Sequence, residues 1–279
     1  MQGKKNYQEK LFTSFRLSDR IPKENFYRRL KEVLNLEFLY PLTQKFYGES
    51  GQKSIDPVVF FKICLVGYLE NITTDRGLMN HCAMRLDVLY FLGYDVDEEL
   101  PWHSTISRTR QLFPEDIFEE VFTKVLKLCI EIGLVTGHTQ AIDSAPVKAN
   151  ASMDSLEIKV PAEDLEEHLS KVRVVERVKS RRGRYMKGKR QSTVEPVFGT
   201  LKEFLGLRKV NTVGIRQANK CMHLAAIAYN LKKYLKHTAK RVKSRAGQSV
   251  LLFPPKNLLQ ELQSSLLRNL NFVHRQSNP

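Results

Sequence analysis

Two acids stand where phosphoryl-transfer chemistry would need them. Asp143 closes the short run Ala141-Ile142, and Glu195 opens a helical stretch in which Lys202 follows seven positions on. Divalent ions that move a phosphoryl group need carboxylates converging from different elements, so that one ion activates the attacking oxygen and the other steadies the leaving one. Both placements also have an ordinary structural reading, since a Glu in a first helical turn simply complements the helix dipole. A second group is polar and basic: Ser104, Thr105, Ser107, Arg108 and Arg110 share one short segment. Hydroxyl and guanidinium groups on a helix suit phosphates and base edges in a DNA groove, and equally suit a solvated helix face.

The densest positive charge lies further on. Lys171, Arg173, Arg177, Lys179, Arg181, Arg182, Arg184, Lys187, Lys189 and Arg190 are interrupted by a single acid, Glu176. Such a run repels itself unless a polyanion neutralises it, and nucleic acid does so with release of counterions. A solvated linker is the competing reading. The net charge of +15 over 279 residues is therefore local. Residues 1–170 hold 20 Lys+Arg against 26 Asp+Glu, net −6, whereas residues 171–279 hold 25 against 4, net +21. An acidic patch of Asp154, Glu157, Glu163, Asp164, Glu166 and Glu167 sits directly upstream of the basic run, so the two look like a join.

The elements that must position these groups are mainly helical. Apolar residues at Phe26, Leu30, Val33, Leu34 and Phe38 predict a helix over 25–40 that Pro41 ends. A second helix is predicted from Ser54, with Asp56-Pro57 in its first turn. Pro114-Glu115-Asp116 opens the clearest helix, with Ile117, Phe118, Val121, Phe122, Val125, Leu128, Cys129 and Ile132 inward and Gly133 and Gly137 closing it. The period then changes: 138–143 is compatible with a strand, and 144–151 suggests a turn and a second short strand. Ser192 or Thr193 caps the next helix, in which Pro196 is tolerable only in the first turn. A further helix over 216–235 is predicted to set Ala218, Met222, Ala225, Ala226, Tyr229 and Leu231 inward and Lys232, Lys233 and Lys236 outward. In the basic tail, leucines from Leu258 to Leu267 line one face, which suits self-association as a homodimer. The fold class is mainly α with a small α/β remnant, divided as a helical 1–137, an incomplete 138–237 with its basic seam at 171–190, and a tail 238–279.

Composition excludes several classes. With 42% hydrophobic residues the chain builds a real core and is no disordered tract. Lys62 interrupts the best membrane-span candidate, Val58 to Leu69, and no secretory signal is visible, so a cytoplasmic, nucleoid-associated protein is expected. Cys64, Cys82, Cys129 and Cys221 form no C-x-x-C pair, which points to reduced, buried thiols. His81-Cys82 and Cys221-Met222-His223 lack second pairs at zinc-finger spacing.

The wording of several segments is more specific than their spacing. Ala141-Ile142-Asp143-Ser144-Ala145-Pro146-Val147-Lys148-Ala149 and the stretch from Arg190 to Lys202 resemble insertion-sequence transposases of the DDE type. The stretch 54–113, with Trp102-His103-Ser104-Thr105-Ile106-Ser107-Arg108, is similar to their helical N-terminal domain, and 213–235 to their closing helix. The resemblance implies an RNase H-like domain that uses two Mg²⁺ ions to cut the ends of its own element and join them to target DNA. It implies Asp143 and Glu195 as the first and last acids of the triad, both metal ligands. Arg190 and Lys202 resemble the basic partners flanking that glutamate, although Arg190 stands five positions ahead where the common signature has four, and Tyr185 is off register. The implied partner is double-stranded DNA at the terminal repeats, with Ser104, Ser107, Arg108 and Arg110 and the seam residues Arg181, Arg182, Arg184, Lys187 and Lys189 as contacts.

One departure stands out. The family's middle Asp lies at a strand end far from both other acids, yet only 51 residues separate Asp143 from Glu195, and the Asp residues among them are Asp154 and Asp164 of the acidic patch. A sheet of about five strands with crossovers needs on the order of 100 residues. The sequence therefore reads as an internally truncated copy, defective in catalysis, with residues 152–192 expected to be loosely ordered. Two other functions remain open: a non-catalytic DNA-binding competitor or repressor of intact copies, and a basic RNA-associated protein. The second is disfavoured because Tyr185 is the one aromatic residue within 171–190.

Overall fold

The computed structural model describes residues 2, 5, 14–48, 54–135, 148–149 and 180–250, the side chains of 148–149, Arg190, Lys240 and 242–250 excepted. It divides into two compact units, residues 1–233 and 234–279. In the first, helices α1 (Leu17–Arg20), α2 (Phe26–Val33), α3 (Leu39–Thr43), α4 (Pro57–Leu69), α5 (Asp75–Ala83), α6 (Leu86–Leu92), α7 (His103–Leu112) and α8 (Glu115–Glu131) form a helical body. A strand β1 (Lys148–Ala149) follows, then α9 (Arg181–Thr193), α10 (Glu195–Phe204), β2 (Lys209–Val210) and α11 (Ile215–Val250). The two strands pair in parallel, Lys148 with Lys209 and Ala149 with Val210. The mainly α expectation holds.

Helix α4 is the pillar of the body. Asp56 caps it, accepting from the Val58 and Val59 amides, and Pro57 takes the first helical position, where a missing N–H costs nothing. Nine of its residues, Phe60, Phe61 and Leu65 among them, are buried, so it is apolar nearly all round. Phe60 and Phe61 meet Phe113 and Phe118 at ring separations of 5.0–6.4 Å. Lys62 stays in this setting by laying its ammonium 5.4 Å from the Phe91 ring. Among the described residues no helix is long and apolar enough to cross a membrane. All four cysteines are free and buried.

Several expectations are corrected. The helix over 25–40 is two: α2 ends at Val33, and Pro41 lies inside α3, in the first turn, where amide donors are unpaired anyway. Helix α4 starts three residues after Ser54 because the Asp56 carboxylate is the better cap. Ser192 and Thr193 do not cap α10; their hydroxyls bond back to the Lys189 carbonyl within α9. The part of 152–192 that is described, from Arg181, is helix and not loose chain. Helix α11 runs fifteen residues beyond Leu235. Its buried face is Cys221, Leu224, Ala225, Ile227, Ala228 and Leu231, while Met222 is 43% exposed, so the buried face is rotated from the expected one. In the second unit the described segment is the rest of this helix, where the Thr238 hydroxyl bonds the Tyr234 and Leu235 carbonyls. The expected strand 138–143, the closing Gly137 and the leucine face at 258–267 lie outside the described residues.

Candidate nucleic-acid interface

Helix α7 carries the first polar group. Ser104 and Ser107 are half-buried and Arg108 is exposed, while Ile106 and Thr109 turn into the core. Arg110 has a different environment from Arg108. Its guanidinium grips the Asp75 carboxylate with two nitrogens, at 2.8 and 3.1 Å, fixing α7 to the first turn of α5. Burial works against its charge, but the bonds to the Asp75 carboxylate more than compensate, and it stays protonated. The same burial pushes the Cys64 thiol up to about 11, leaving it inert. Arg110 thus anchors the helix from inside.

Helix α11 returns across the body and closes it with two lysines. Lys220, only 3% exposed, donates to the Arg110 carbonyl in the last turn of α7, and Lys232 donates to the Leu69 carbonyl at the end of α4, both at 2.9 Å. Lys31 does the same for α6 through Tyr90, at 2.6 Å. A cation over unpaired C-terminal carbonyls satisfies them and complements the dipole. Burial lowers the pKa of all three amines. The outward orientation expected of Lys232 is corrected: its ammonium serves α4.

Between α4, α5 and α7 on one side and the β2–α11 segment on the other lies a cavity of about 350 Å³, lined by Ser107, Arg110, Lys209 and Gln217 among others. The turn at 69–73 borders it. Asn71 there has a left-handed φ of 58°, its side-chain amide donates to the Glu203 carbonyl at 3.2 Å, and its oxygen accepts from the Gly206 amide at 2.9 Å. Asn211 reaches the Thr73 carbonyl at 3.4 Å.

Helix α9 carries the second group. Arg181, Arg182, Arg184, Lys187 and Lys189 are all exposed, no acid occurs in the helix, and Tyr185 and Met186 are exposed as well. The backbone of Arg190 belongs to α9, and its side chain lies outside the described residues. Successive positions 181, 182, 184, 187 and 189 spread around the helix, so it has no neutral face to bury. Glu195 is the exposed first residue of α10, and Lys202 is half-buried in its last turn, on the same helix that the Asn71 side chain holds at the far end.

Asp143 lies outside the described residues. Among the described residues no three His, Cys, Asp or Glu side chains gather closely enough to hold a metal ion. Glu195 brings one carboxylate to a surface where an ion such as Mg²⁺ would need several oxygens in near-octahedral array. The described residues do not fit that ion.

Two family models meet the chain. Residues 15–112 match the Transposase domain (DUF772) and residues 151–235 match the Transposase DDE domain, together about two thirds of the length. The chain belongs to the DDE-type insertion-sequence transposases. No curated protein and no solved structure matches it. A transposase acts on DNA, and the DDE family works with divalent metal. In this transposase the first matched segment holds α1 to α7, and the second holds α9, α10 and all of the first-unit part of α11; Asp143 falls between them. Sequence reasoning missed Asp75, Asn71 and Lys220. Each acts on a partner remote in sequence, and no local pattern announces that.

Proposed function

We propose that this transposase copy binds the ends of its own element as duplex DNA and does not cut them. The observation that carries the reading is α9, a helix with no acid in which the described side chains of Arg181, Arg182, Arg184, Lys187 and Lys189 are all exposed. Like charges three or four residues apart, such as Arg181 with Arg184 and Arg184 with Lys187, destabilise an isolated helix by a few tenths of a kcal/mol each. A phosphate backbone converts that repulsion into attraction by counterion release. Arg108, Ser104 and Ser107 on α7 supply a second contact within the body, whereas Arg110 supports α7 through Asp75. Arg190 and Lys202 add phosphate contacts next to Glu195. Asp143 and Glu195 are the remaining pair of a catalytic triad whose middle acid the 51-residue interval does not supply, and a pair holds Mg²⁺ weakly at best.

The domain division that fits this role is a DNA-binding 1–137, a catalytic remnant 138–237 and a basic tail 238–279 able to pair two copies. Working in the cytoplasm on the nucleoid, such a protein occupies terminal repeats and competes with intact copies. The test is a denaturing gel of labelled duplex carrying the sequences that flank the coding region, incubated with protein and Mg²⁺ or Mn²⁺, beside a native gel-shift of the same mixture. Shifted but intact DNA is expected. Cleavage at a defined terminal position, lost in Asp143→Asn and Glu195→Gln, would show that another carboxylate completes the site and overturn the reading.

A further inference from the structure

We propose that Asn71 is a positioning residue that fixes the basic arm α9–α10 at one distance from α7, so that both surfaces engage a single duplex in one register. This rests on the duplex-binding reading above. Asn71 occupies the position just past the α4 C-cap Glu70, and the Ile72 amide closes the turn on the Gly67 carbonyl at 2.8 Å. That position calls for a left-handed residue and is normally Gly, which adopts φ near +58° without a Cβ penalty. An Asn there costs backbone energy that a Gly would not. Its side chain spans 132 and 135 residues of sequence to hold the Glu203 carbonyl and the Gly206 amide, bracketing the end of the helix that carries Glu195 and Lys202.

The connection continues to α7. The turn of Asn71 leads into α5, whose Asp75 is clamped by Arg110 of α7. On the other side α10 follows α9 through the single residue Val194, whose carbonyl accepts from the Val197 and Phe198 amides in the first turn of α10. Two polar contacts, Arg110 with Asp75 and Asn71 with Glu203 and Gly206, thus flank the chain segment 71–75 that lies between α7 and the end of α10. Two weak binding surfaces held at a matching span behave as one strong site, and an arm that swings freely loses part of that gain. Both Asn71 bonds are exposed, so their role in overall stability is small.

The variant Asn71→Gly keeps the backbone and removes the clasp. Wild-type and variant full-length protein are titrated by fluorescence anisotropy against duplex carrying the coding region's flanking sequences at several salt concentrations, with thermal melts alongside. The expected result is a melting temperature within about 2–4 °C of wild type, an affinity about ten-fold weaker and a shallower dependence of log K on log salt, as fewer phosphates are neutralised. Asn71→Asp, which retains the acceptor for Gly206 and removes the donor to Glu203, should fall between the two. Equal affinity and equal salt slope in Asn71→Gly overturn the proposal. A large fall in melting temperature also overturns it, because the clasp would then be a stability element. A wild-type protein that fails to bind the duplex removes the reading beneath, and it does so without any variant.

Discussion

The helical body and the basic arm are built by opposite rules. In the body, Phe60, Phe61, Phe113 and Phe118 interlock without solvent, and two of its polar groups are answered individually: Arg110 by Asp75, and the Leu69 carbonyl by Lys232. In the arm, α9 buries none of its described side chains and presents five described cations to water. These polar groups of the body find partners within the chain; the described cations of α9 face water. The same residue type therefore means different things in the two places, as Arg110 and Arg184 show.

Emptying the aromatic core should have the largest effect on the body. Phe113→Ala is expected to cost about 3–5 kcal/mol, read by chemical denaturation, and to lower DNA affinity only through the unfolded fraction. In the arm, Arg181→Gln, Arg182→Gln and Arg184→Gln together should leave the melting temperature unchanged and flatten the salt slope by about 0.9 for each phosphate that is no longer neutralised. If that triple variant melts much lower, the arm is part of the core and the contrast fails. Arg110→Ala should cost about 2–3 kcal/mol, reduced by residual solvent access to the pair, because the Asp75 carboxylate is left alone; Arg108→Ala should cost almost nothing in stability and weaken DNA binding.

A smaller effect follows from pH. Burial raises the Asp87 pKa, but bonds from the Arg85 guanidinium and Asn25 outweigh it and hold the carboxyl below its usual range. A depressed folded pKa gives stability that is present above the unfolded value, near 4, and lost as the pH falls through the lower folded value. Urea melts between pH 5 and 2 should show this loss, and Asp87→Asn should have a lower plateau and a shallower fall. Among the paired groups of the body the smallest change is expected for Lys232→Met, about 1 kcal/mol from one C-terminal carbonyl left without its cation, read by urea denaturation.

Much of the fold is legible in the sequence because it is local. Glu115 and Asp116 at the start of α8 and the buried stripe Ile117, Phe118, Val121, Val125 and Cys129 follow from period and dipole alone. The buried face of α11 is not, since Leu224, Ile227 and Ala228 are as apolar as neighbours that lie outside, and tertiary packing chooses among them. Of the candidate site, the charge of α9 and the family likeness of the Glu195 segment are readable. The pairing of Arg110 is not, because its partner lies 35 residues away with no local cue.

The all-round apolar surface of α4 has a consequence for synthesis in the cell. The Leu69 carbonyl waits 163 residues for Lys232, and Tyr68 packs against Cys221 and Ala225 of the same late helix. At roughly 5–20 residues per second a ribosome takes on the order of 10–30 s to deliver them. Through that interval Phe60 and Phe61 already meet Phe113 and Phe118, but the flank of α4 at Tyr68 and Leu69 stays uncovered, so products terminated before α11 are expected to aggregate through it.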